Sequence, residues 1–144
     1  LQYINKKTIT IPMVFFSSKN DKYQKPETRV LANLKSESVL NNFFKDKNNK
    51  LYFTTSLNSQ KAEQIKLNKN TSVYLYEDMS MEALTLFGSS KIIDDENLKN
   101  EIWQDDWIQH YPKGKNDKNY AIIEFTIEAY KFYDNNYILH EGKL

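Results

Sequence analysis

Residues 51–77, LYFTTSLNSQKAEQIKLNKNTSVYLYE, change period twice, and that change decides the fold. LYFTT at 51–55 is a compact strand of aromatic and β-branched residues. Asn58 or Ser59 then caps a helix whose short apolar side carries Ala62 and Ile65. TSVYLYE at 71–77 returns to alternation, with Val73 and Leu75 facing opposite to Tyr74 and Tyr76.

Strands continue on both sides of this unit. Upstream, TITIPMVFF at 8–16 places Ile9, Ile11, Met13 and Phe15 on one face, and Pro12 implies an edge position or a bulge. SSKNDKYQKPE reads as a turn and the entry to TRVLANL at 28–34. That strand sets Val30, Ala32 and Leu34 on one face and Arg29, Leu31 and Asn33 on the other, and KDKNNK is a polar turn. Downstream, a strand covers 82–93, where Gly88 suggests a bulge or a close backbone approach. DDENLKNEIW begins with Asp caps and carries Leu98 and Ile102 at i, i+4, so it reads as a helix. QDDWIQHYPKGKND ends in a loop, and a last long strand runs over 120–133 with Ala121, Ile123, Phe125 and Ile127 alternating. The order βββ-α-ββ-α-β excludes a doubly wound parallel sheet and predicts an antiparallel barrel or an α+β domain, with residues 1–144 as a single domain.

Composition narrows the function. There is no cysteine, which removes disulfides, thiolate nucleophiles and cysteine metal sites. A formal net charge of +1, from 20 basic and 19 acidic side chains, argues against a nucleic-acid protein. No apolar run approaches the ~18 residues of a membrane span, and the start LQYINKK is too polar for a signal peptide, so a cytoplasmic location is expected. His110 and His140 stand far apart with no metal-ligand spacing, so no metal is expected. Asp94 and Asp95 cap a helix, and Asp105 and Asp106 sit on a polar face, without hydrolase logic. On spacing alone Ser59 is a helix cap and Lys61 a solvated first-turn residue, and Trp103 and Trp107 share a face if the helix continues.

Three stretches together carry a resemblance: TRVLANL, the 51–77 unit with its Ser-x-Lys helix start, and GSSKIIDDENLKNEIWQDDWIQHYPKGKNDKNYAIIEF. Over roughly residues 9–134 the chain resembles the pyridoxamine 5'-phosphate oxidase-like family, in its general stress protein 26-like branch. It departs from that pattern in lacking most of an opening helix, in a glycine-free first hairpin, and in the long insertion SESVLNNFFKDKNNK.

The resemblance implies a six-stranded antiparallel split β-barrel with two or three short helices, forming a homodimer that holds flavin mononucleotide (FMN) at the subunit interface. It makes Arg29 and Lys61 phosphate ligands, helped by the Ser59 hydroxyl and the backbone at Gln60. Such an anion favours Arg, Lys and a helix start. Thr54 and Thr55 would touch the cofactor from the end of their strand, with Val30 and Leu31 along the flavin. Trp103, Trp107 and Tyr111 would approach it from the partner subunit, although Trp103 reads more simply as core. The implied function is an FMN-dependent oxidoreductase acting on a small molecule. The alternative is a non-catalytic module holding flavin, haem or a deazaflavin in a stress response, and a third reading is a barrel that has lost its cofactor. Oxidation of pyridoxamine phosphate itself is disfavoured, because the tail NNYILHEGKL contains neither Trp nor Arg.

Overall fold

The computed structural model describes residues 14–31, 49–77 and 79–144. The expectations for Ile9, Ile11, Pro12 and Met13, for Ala32, Asn33 and Leu34, and for most of KDKNNK lie outside these residues.

β1 (Val14–Asn20) and β2 (Lys25–Leu31) form an antiparallel hairpin. Both strands run further into the polar segment than the sequence predicts. Its side chains pair across the hairpin: the Ser17 and Thr28 hydroxyls lie 2.7 Å apart, and the Asn20 amide donates to Glu27 at 2.6 Å. With no glycine available, the turn closes through Gln24 at φ 53°. Pro26 is tolerated because β2 is an edge strand. The alternation put Phe15 on the apolar face, but Phe16 and Ser18 are the buried residues. Phe15 instead lies outside, with its ring 6.2 Å from that of Tyr74.

β3 (Lys50–Ser56) leads into α1 (Gln60–Leu67), then β4 (Asn70–Glu77) and β5 (Glu82–Ile93). After α2 (Glu96–Ile102), 3-10 turns at Asp105–Gln109 and Gly114–Asn116 precede β6 (Tyr120–Tyr133) and β7 (Leu139–Lys143). The expected helix through Trp103 stops at Ile102, and Trp103 is its C-cap at ψ 137°. Asp95 caps the other end, its carboxylate accepting from the Leu98 N–H at 3.0 Å.

All strand pairs are antiparallel, in the order β2-β1-β4-β5-β6-β3, with β7 added on β6. This is the expected six-stranded split barrel plus a short seventh strand. β7 escaped notice because its Leu139, Glu141 and Lys143 are all exposed, so it has no apolar face to read. The sheet is curled: Phe16 of β1 and Phe53 of β3 are far apart in strand order, yet their rings meet edge to face at 6.0 Å. Phe16, Phe53, Leu75, Leu86, Phe125 and Phe132 fill the inside of the curl. Each such side chain contributes roughly 1.5–3 kcal/mol by leaving water.

Gly88 fulfils both of its expected roles. The β5–β6 register shifts between Phe87 and Gly88, and a Cβ there would stand 2.0 Å from the Thr126 carbonyl oxygen. Among the described residues no helix is long and apolar enough to cross a membrane.

Candidate functional site

The site grows from the start of α1. Ser59 keeps extended dihedrals while its Oγ accepts the Ala62 N–H at 3.2 Å, and the Thr55 hydroxyl lies 3.1 Å away. The cap fixes the first turn so that Ala62, Gln64 and Ile65 turn inward. Lys61 is then left on the flank that looks toward the ends of β2 and β3.

There the two edge strands of the curled sheet face each other across a cavity of about 320 Å³. β2 lends it Val30 and Leu31, β3 lends Thr54, Thr55 and Ser56, and α1 lends Lys61. The 3-10 turn after α2 and the residues just past it close the remaining side with Trp107, His110 and Tyr111. The volume is of the size that holds small organic ligands.

Lys61 makes no hydrogen bond or ion pair among the described residues. Burial, and then the nearby Arg29 guanidinium, push its ammonium below the usual lysine range. A half-buried cation facing a second cation with no anion beside it is a place where an anion is favoured.

The opposite wall is aromatic. The Trp103 ring meets Trp107 edge to face at 5.9 Å and Tyr120 at 5.4 Å, and Tyr111 lies 5.1 Å from Tyr120. Tyr120 is fully buried, donates to the Lys99 carbonyl at 2.9 Å, and has its phenol pushed strongly up by burial and then by Tyr111. Burial also raises Tyr111, against a weak hydrogen bond from Ser56 at 3.4 Å, while the Asp117 carboxylate adds to the rise. The Tyr111 phenol therefore stays protonated at neutral pH and presents a hydroxyl to the cavity.

Of the residues singled out from the sequence, Val30, Leu31, Thr54, Thr55, Lys61, Trp107 and Tyr111 come together around this cavity within one chain, whereas the resemblance brings Trp107 and Tyr111 from a partner subunit. Trp103 does not line it; it backs Trp107 and donates its indole N–H to Asp105 at 3.3 Å. Ser59 and Gln60 open instead onto a second, polar cavity of about 540 Å³. Arg29 lines neither cavity. It donates from Nη1 to Ser18 at 2.6 Å and from Nη2 to Gln64 at 2.8 Å and Glu27 at 2.9 Å.

Sequence reasoning missed Ser56 and His110 as cavity residues. His110 has no metal-ligand spacing, and the signal that could have found it is its place between Trp107 and Tyr111 on a tight turn. Among the described residues no group of three or more acidic or histidine side chains gathers as a metal site.

The sequence pattern of the family described as "Pyridoxamine 5'-phosphate oxidase like" matches residues 40–140. No curated protein matches the chain. Among solved structures, a protein related to general stress protein 26, of the pyridoxinephosphate oxidase family, from Clostridium acetobutylicum superposes with a TM-score of 0.77 at 22% identity, covering 99% of this chain and 93% of that one. A pyridoxamine 5'-phosphate oxidase-related, FMN-binding protein from Nostoc punctiforme gives 0.70 at 13%, covering 99% and 91%. A heme-binding protein from Mycobacterium smegmatis gives 0.67 at 7%, covering 96% and 56%. At these identities the likeness is one of fold.

Proposed function

The chain belongs to the pyridoxamine 5'-phosphate oxidase-like family, and on that premise we propose that it is an FMN-binding flavoprotein, an oxidoreductase acting on a small molecule. The observation that carries this reading is Lys61: a half-buried ammonium without an anionic partner among the described residues, beside Arg29, in a cavity with an aromatic wall. A flavin phosphate supplies the missing anion, and the Arg29 and Lys61 cations suit its charge. Val30, Leu31 and Trp107 offer flat or apolar contacts for a ring, and Thr54 and Thr55 offer hydroxyls along the β3 edge.

When bound, the flavin supplies redox chemistry, and the protein's part is to orient it and to set its surroundings. Tyr111 and His110 would place polar hydrogens beside whatever substrate enters. The cation pair would hold the phosphate end in one register.

The proposal includes a homodimer. Val30, at the cavity rim, is 47% exposed and pairs across β1 with Phe15, which in turn pairs with Tyr74. Tyr76, Phe87 and Tyr133 extend this exposed apolar face of the sheet. A second copy covering it would also border the cavity, which is how a cofactor comes to lie between subunits.

A second reading, a non-catalytic module holding haem, draws on His110, whose imidazole lines the same cavity. Absorbance and mass measured on freshly purified protein separate the readings. A flavin spectrum on a particle of twice the chain mass is expected. A haem Soret band restored by added haem and lost in His110→Ala would select the second reading. A colourless monomer that takes up neither cofactor would overturn both.

A further inference from the structure

The side chains around Arg29 form a network that the family resemblance does not describe. Ser18 and Gln64 are each more than nine-tenths buried, and their side chains are joined at 2.5 Å. Both accept from Arg29, as does Glu27. Glu27 is further held by the Asn20 amide at 2.6 Å and the Gln64 amide at 3.3 Å. Those bonds and the Arg29 charge keep its carboxyl below the usual range, the Asn20 bond first.

Three guanidinium N–H groups are thus engaged, out of the five that an arginine carries. The other two make no hydrogen bond among the described residues, and the guanidinium stands close enough to Lys61 to push its ammonium down, although Arg29 does not itself line the Lys61 cavity. Glu27 itself lines the second, polar cavity, not the one that holds Lys61. One arginine therefore stands between an internal carboxylate on one side and an anion-seeking lysine on the other.

We propose that Glu27 is an internal counter-ion that competes with a bound phosphate for the charge of Arg29, so that a carboxylate outside the cavity sets how tightly the cavity holds its anion. This rests on the flavin reading of the site. Ser18 and Gln64 hold the guanidinium in place whether or not Glu27 is charged. Glu27 is thus a tuning residue acting through Arg29, and its removal leaves the geometry standing.

The test is titration of wild type and Glu27→Gln with FMN, with riboflavin, which lacks the phosphate, and with inorganic pyrophosphate. The variant is expected to bind FMN and pyrophosphate about five- to tenfold more tightly, the scale of a partly exposed charge pair. Riboflavin affinity should stay within twofold, and the gain should vanish when Arg29→Gln is already present. Equal or weaker FMN binding by Glu27→Gln would overturn the inference and leave the flavin reading intact. If neither protein binds FMN, the flavin reading falls. Pyrophosphate then decides alone: tighter binding by the variant upholds the counter-ion role, while equal, weaker or absent binding removes it.

Discussion

Two corners of this molecule each gather two cationic side chains, and they are resolved in opposite ways. Where β3, β5 and β6 meet, Glu124 is 8% exposed, accepts a hydrogen bond from Lys50 at 2.9 Å and forms an ion pair with Lys91 at 3.4 Å. Around α1, Lys61 and Arg29 converge, Arg29 has Glu27, and Lys61 has no partner among the described residues. Each corner sets one carboxylate against two cations, but the cations are placed differently. At the first, both lysines reach the same carboxylate and Lys91 is mostly exposed. At the second, the half-buried Lys61 pairs with nothing among the described residues, and such a charge is costly unless something else benefits from it. Where the carboxylate sits, more than the number of charges, separates structure from site.

The contrast is tested first by stability. Glu124→Gln leaves two lysines around a neutral amide, and because Lys91 is mostly exposed the cost should be about 2–3 kcal/mol, below that of a fully buried pair. Lys61→Met should leave stability unchanged or raise it by up to about 1 kcal/mol, since it removes an uncompensated charge. Urea unfolding of both variants beside wild type measures this, and a substantial loss in Lys61→Met would show that Lys61 belongs to the framework.

The aromatic wall gives the next effect. Trp107→Phe should brighten bound flavin several-fold, because an indole in contact quenches the ring, while Trp103→Phe should alter flavin emission little. Steady-state emission of the two variants compares them. Equal brightening would erase the distinction between the lining Trp107 and the backing Trp103.

The smallest effect is in pH dependence. The folded-state pKa of Lys61 lies below its unfolded value, so the unfolded chain binds more protons between the two. Its contribution to stability is therefore present above about pH 10.5 and lost as pH falls through the folded-state pKa. Any melting-temperature advantage of Lys61→Met over wild type should be present below that window and shrink as pH rises through it. Saturating FMN should abolish the trend by giving the ammonium an anion.

Legibility followed side-chain alternation. β5 and β6 were readable because they are rich in apolar and β-branched residues, with Leu84 and Leu86 in β5 and Ile123, Phe125 and Ile127 in β6 at alternate buried positions, and Gly88 announced its own close approach. β1 and β2 were read too short on their hairpin side because those ends are polar and are held by cross-strand hydrogen bonds such as Asn20 to Glu27, which no periodicity shows. β7 packs Gly142 against the Tyr130 ring, a contact without a sequence signature.

At the site, Lys61, Thr54, Thr55 and Trp107 could be named from resemblance. The ties of Arg29 to Ser18 and Gln64 could not, since they join β1, β2 and α1 across 11 and 35 residues of sequence. The matched family range also begins at residue 40, past Arg29, Val30 and Leu31.

If the site is a flavin site, the unpaired charge of Lys61 grips its phosphate. Parallel fluorescence titrations of wild type and Lys61→Met with FMN and riboflavin test it most directly. Wild type should prefer FMN by at least about tenfold, and Lys61→Met should lose about 1.5–3 kcal/mol of FMN affinity while keeping its grip on riboflavin. Equal affinity of wild type for the two flavins, or an FMN preference that survives in Lys61→Met, would contradict it.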